Sequence, residues 1–182
     1  GLEEVTAPFD LFLTKRETAI SGSAISLQSE GSRLIPIEIE ALVSPSYAAY
    51  PIRIGDTMRR DTLNTLVSIL EQKANFSMGN KNVVIKATGG LSISEKVCDL
   101  AILVAIASSD LDRPVSGDVA FLAEVGLTGE LKRVSQMERR LKELDRIGFK
   151  EVYIPTGYQV PKLQKLKVHE CRTLSEVFSR IL

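Results

Sequence analysis

The run LAILVAIA at residues 100–107 constrains this chain most. Wound into a helix, it is apolar on every face, and such a helix belongs at the centre of a domain, wrapped on all sides. It is far too short to span a bilayer. Ser92 stands three residues before Glu95, a capping-box spacing that predicts a helix opening there and running to about Ser109.

The flanking sequence supplies the wrapping. Residues 19–27 and 34–43 read as two strands around a turn at 28–33 that contains Gly31. In the second strand Ile35, Ile37, Ile39, Ala41 and Val43 alternate with other residues, the period of a half-buried strand. Pro36 lacks an N–H, which places that part at a sheet edge or a bulge. After a Pro- and Gly-containing loop over 45–57, Leu63, Leu66, Val67 and Leu70 mark one face of a helix over 61–74. A short strand over 83–87 is broken by Gly89-Gly90.

Strands are predicted over 119–122 and 131–134, joined through the turn at 126–129. Ser135 and Glu138 make a second capping box, followed by Met137, Leu141 and Leu144 on one face and Gly148 as the residue that ends the helix. Strands over 151–154 and 167–171 follow, and Thr173 with Glu176 caps a last helix. A hairpin followed by alternating strands and helices predicts an α/β fold. Residues 1–18, with Phe9, Leu11, Phe12 and Leu13, read as a connecting segment, and 19–182 as one domain.

The 23 basic and 23 acidic side chains cancel, so the whole surface is no nucleic-acid footprint and any DNA contact is local. Two clusters qualify: Lys132, Arg133, Arg139, Arg140 and Lys142, interrupted by Glu138 and Glu143, and Arg53, Arg59 and Arg60. Against this stands the reading of a solvated helix face with mixed charges. Tyr47 and Tyr50 are the available stacking platforms for single strands. The opening GLEEVTAPFD lacks a signal-peptide pattern, and two widely separated cysteines, Cys98 and Cys171, fit a reducing compartment. A cytoplasmic protein is expected.

Site chemistry narrows by elimination. The phosphate-loop pattern G-x-x-x-x-G-K-[ST] is absent, and Gly126-Leu-Thr-Gly129 is followed by Glu130, which repels phosphate. His169, the only histidine, has Glu170 as its neighbour in a strand, where adjacent side chains point to opposite faces, so no metal site is expected. A Ser/Cys–Lys dyad needs no histidine and remains open.

Co-linear segments then carry a resemblance across the whole chain: LFLTKRE, ISGSAI, EIEALVSPS, CDLAILVAIASS, DRPV, EVGLTGEL, RVSQMERRLKE and GFKEVYIP. They resemble the Lon proteolytic domain and, more closely, the Lon-like C-terminal domain of the RadA/Sms DNA-repair ATPases. The resemblance implies a Lon-like fold, assembly into a ring, a hexamer by expectation, and an intact protein that uses ATP in recombinational repair and branch migration on DNA. In Lon the nucleophilic serine lies in a Gly-Pro-Ser-Ala-Gly context near the start of the apolar helix; the matching position holds Val97. The catalytic lysine position holds Glu138. Valine has nothing to attack with and glutamate is no amine base, so the resemblance implies a pseudo-protease scaffold that is itself no enzyme. The alternative is an active Ser/Cys–Lys peptidase using Cys98 or a serine elsewhere in the chain. RadA proteins also carry a four-cysteine zinc element, a Walker-type ATPase core and a Lys-Asn-Arg-Phe-Gly motif; none is in this chain, so ATP, Mg²⁺ and Zn²⁺ are implied only for other parts of a longer protein, whose motor domain is a partner of this one.

Overall fold

The computed structural model describes residues 18–182, and the expected connecting segment falls almost wholly outside them. The chain forms β1 (Ser23–Glu30), β2 (Arg33–Pro45), β3 (Arg53–Gly55), α1 (Arg60–Ala74) and β4 (Lys81–Ala87). After short 3-10 turns at Thr88–Gly90 and Lys96–Cys98 come α2 (Asp99–Leu111), β5 (Val119–Phe121), β6 (Glu124–Val125) and β7 (Leu131–Lys132). The chain closes with α3 (Met137–Ile147), β8 (Glu151–Pro155), β9 (Lys167–Cys171) and α4 (Leu174–Ile181).

Seven strands make one sheet in the order β3-β4-β2-β1-β5-β8-β9. The pairs β1–β2 and β2–β4 are antiparallel, and the other four are parallel. This is a single α/β domain with a hairpin start, as the element order predicts. All of residues 100–107 are buried, so α2 is the central helix its composition demands. It ends where Asp112 adopts φ 51°, a left-handed turn open to few residues other than glycine, asparagine and aspartate.

Pro36 sits in the middle of β2 yet at a local edge. Ala41 N–H donates to Gly22 C=O, and alternation along the antiparallel ladder turns the nitrogen at Pro36, opposite Leu27, away from β1. On that other side β4 reaches only as far as Ile39. The missing N–H therefore costs the sheet no ladder bond.

Two expectations about boundaries fail. The strand at 131 pairs with Glu124–Val125 in a separate two-stranded ribbon, whereas 119–121 joins the main sheet. Neither Ser92/Glu95 nor Ser135/Glu138 forms a capping box: α2 begins at Asp99, and α3 is preceded by Gln136 at φ 60° with no side-chain cap. Thr173 does cap α4, accepting from Glu176 N–H at 3.2 Å.

Candidate functional site

The start of α2 is built against β1 by one buried glutamine. Gln28 Nε2 donates to Ser92 C=O (2.6 Å), and its Oε1 accepts from Ser94 N–H (3.2 Å) and the Cys98 thiol (3.4 Å). Val97, at the position the resemblance matched to the nucleophile, and Cys98 beside it are both buried. Burial pushes the Cys98 thiol up to about 12; the Ser26 hydroxyl opposes this, while the charges of Glu95 and Asp99 add to it. A thiol held protonated and sealed from solvent is no nucleophile, since the thiolate is the reactive form. Nothing here favours the peptidase alternative.

The next residue behaves differently. Asp99 lies where two adjoining cavities of about 360 and 260 Å³ meet, between α1, the 93–96 segment and the β6–β7 hairpin. Its Oδ2 accepts from Val125 N–H at 3.2 Å. Desolvation raises its pKa to about 7, helped by the neighbouring Glu124 charge and opposed by the Val125 N–H and Lys96. Lys96 Nζ lies 3.5 Å from Glu124 Oε1 across the mouth of the groove. Lys132 lines it too, its stem lying across Gly126, where a Cβ would come within 2.5 Å of Lys132 Cε.

The remaining residues singled out in the sequence scatter. Glu138, at the lysine position, is exposed and pairs with Lys142 at 3.1 Å, one helical turn on. Arg139 is exposed, donating to Gln136 Oε1 (2.8 Å) and to Ser32 C=O. Arg133 is exposed beside Gly157 C=O (3.5 Å). Arg59 is exposed with Asp61 at 3.0 Å, and Arg60 is exposed at the start of α1. Arg53 is half-buried and donates to Met78 C=O at 3.0 Å.

Arg140 corrects the expected cluster. It is 1% exposed: Nη1 donates to Leu27 C=O (2.7 Å), Nε to Ser135 C=O (3.0 Å), and both Nη atoms lie 3.5 Å from Glu95. Its guanidinium is spent on the interior and is unavailable to a phosphate. The signal was in the spacing: Arg140 falls three residues after Met137 and four before Leu144, on the buried face. Sequence reasoning also missed Asp99, which sits beside the predicted nucleophile position and carries the shifted acidity. His169 pairs with Glu151 (2.8 Å) and stacks on Tyr153 (centroids 4.6 Å apart), in register across β8 and β9. Among the described residues, no three His, Cys, Asp or Glu side chains gather to hold a metal ion, and no helix is long and apolar enough to cross a membrane.

The family model described as subunit ChlI of Mg-chelatase matches residues 55–157, more than half the chain, from β3 through β8. The chain belongs to this ChlI family. The match takes in the groove, both of its lysines, Asp99 and the hairpin. Its description names a subunit of an enzyme, which runs against the expectation that this chain is itself no enzyme. The chain is also similar to proteins named DNA repair protein RadA. That of Bacillus subtilis is 39% identical over 166 residues, covering 89% of this chain and 36% of the relative. Those of Listeria monocytogenes and Streptococcus pneumoniae are 33% and 35% identical over the whole chain, which covers 40% and 44% of their lengths. This ChlI-family chain thus spans well under half of the curated relatives it matches.

Proposed function

We propose that this chain is a scaffold without chemistry of its own, part of a RadA-type DNA-repair protein of the cytoplasm. It holds copies together in a ring, a hexamer in this reading, and brings cations to DNA. The fold is that of the Lon proteolytic domain, kept after the dyad was lost. Hydrolysis of ATP, with its Mg²⁺, and binding of Zn²⁺ belong to parts of the longer protein outside this chain, whose motor domain it carries through recombinational repair and branch migration.

The observation that supports the reading best is the burial of Val97 and Cys98 at the head of α2, with the groove beside them lined by Thr62, Thr65, Lys96 and Asp99. Valine offers no hydroxyl at the expected nucleophile position, and the Cys98 thiol beside it is sealed and protonated. The DNA role rests on exposed cations: Lys132 and Arg133 at β7, Arg139 and Lys142 on α3, and Arg59 and Arg60 at the start of α1. Two of them, Arg59 and Lys142, are held by neighbouring carboxylates, so each contributes modestly and repetition around a ring supplies the affinity.

Fluorescence anisotropy with a labelled single strand tests this. Binding weakens with rising salt, and the pair Arg139→Glu with Lys142→Glu weakens it further and flattens the salt dependence. Binding and slope unchanged by that pair would remove DNA contact from this face.

A further inference from the structure

Two apolar surfaces of the described chain have no partner within it. The first is a row across three strands: Leu42 stands opposite Val84, and Val84 opposite Ile54, so the three share one face of the sheet. They are 64%, 40% and 55% exposed. The loop between β2 and β3 adds Tyr47 and Tyr50, 97% and 84% exposed. One step along the same face, Glu40 pairs in register with Lys86, and Asp56 is exposed at the end of β3.

The second surface is concave. A groove of about 340 Å³ lies between the ends of α1 and α2 and the face of α4, lined by Ala74, Phe76, Leu111, Phe178, Leu182 and Arg113. Phe76 and Phe178 meet edge to face, centroids 5.7 Å apart. Arg113 is exposed at the groove, donating to the Leu182 C=O at 3.0 Å, and Lys73 is exposed in the last turn of α1. Asp112 nearby is engaged by the Ser21 hydroxyl at 2.7 Å.

We propose that the tyrosine loop and apolar row of one copy seat in the α1–α2–α4 groove of the next, head to tail. The proposal rests on the self-assembly reading above and names its two surfaces. Charge and shape decide against pairing like with like. Row on row sets Asp56 of one copy near that of the other, Glu40 being matched by Lys86, and groove on groove sets Arg113 and Lys73 against themselves. Row in groove matches a projecting aromatic to a hollow, and acid to base. Two different patches joined in this way generate a closed ring or a filament, whereas a self-complementary patch stops at a dimer. Tyrosine is the residue type enriched at the centre of such interfaces. A nucleic-acid strand fits the row less well, because Glu40 already matches Lys86 and Asp56 adds a charge that repels phosphates.

The test uses sedimentation velocity on the full chain over a concentration series. Tyr47→Glu with Tyr50→Glu spoils the projection; Leu111→Lys spoils the groove. All three positions are exposed, and circular dichroism verifies that each variant is folded. Each variant alone weakens association at least about tenfold. Mixed in equal amounts, the two form a dimer that grows no further, because each keeps one good face. Association of both variants at wild-type strength would overturn the assigned surfaces and leave self-assembly standing. A wild-type chain that stays monomeric throughout would overturn both. A mixture in which no dimer forms would overturn the head-to-tail arrangement. Loss of oligonucleotide binding in the tyrosine variant, with association unchanged, would assign the loop to nucleic acid and overturn the proposal.

Discussion

One face of the seven-stranded sheet has two unlike halves. Along β1, β5 and β8 it carries Ile25, Leu27, Ala120 and Val152, all buried, and α3 reaches over it through the bond from Arg140 to the Leu27 C=O. Along β2, β4 and β3 the same face carries Leu42, Val84 and Ile54, all exposed. Leu42, Val84 and Ile54 are as apolar as Ile25 and Leu27, though Glu40 and Lys86 stand beside them, so a residue's own hydrophobicity does not tell core from surface. What differs is whether a later helix arrives, and α3 is anchored where it lies by an arginine. The covered half holds the domain together; the bare half is free for association.

The sharpest way to break that contrast is to remove the anchor. Arg140→Ala leaves two backbone carbonyls without their donor and Glu95 without its cation, and it is expected to cost about 3–5 kcal/mol in chemical denaturation. Arg140→Lys restores little, because one ammonium cannot reproduce the spread of a guanidinium. Leu27→Ala, on the covered half, is expected to cost about 2–5 kcal/mol through lost burial and the cavity left behind.

Asp99, packed at the head of α2 under the opposite face, separates charge from packing. Its folded pKa, about 7, lies above the ordinary 3.8. Between those values the folded chain holds a proton that the unfolded chain has released, so stability falls as pH rises from about 4 to about 7 and then levels. Asp99→Asn keeps an acceptor for Val125 N–H and removes the charge. Thermal melts should show it more stable than the wild type by about 1–2 kcal/mol at pH 8, with the gap closing near pH 4. A constant gap across that range would show that the charge on Asp99 is not the cause. The smallest effect belongs to the bare half: Leu42→Ala, melted at low protein concentration, should stay within about 0.5 kcal/mol of the wild type. A loss as large as that of Leu27→Ala would show the two halves to be alike after all.

Periodicity made the opening hairpin and α1 legible, and an unbroken apolar run did so for the central helix, because each writes its burial into local sequence. Register-dependent and long-range features were not. Glu95 looks like a capping residue for its own helix, yet its carboxylate accepts from Ser29 N–H at 2.5 Å and faces Arg140, both distant in sequence. Arg140 looks like one of a run of surface charges until its place on the Met137–Leu144 face is counted. The groove around Asp99 was not legible either, because it forms only where α1, the hairpin and α2 converge.

Pro36 has a consequence for what the sheet tolerates. The residue is buried, and its nitrogen turns away from β1 at the point where β4 has already ended. Any other residue there would bring an N–H that no ladder carbonyl of β4 receives, in a place closed to water. The proline ring thus spares the interior an orphan donor.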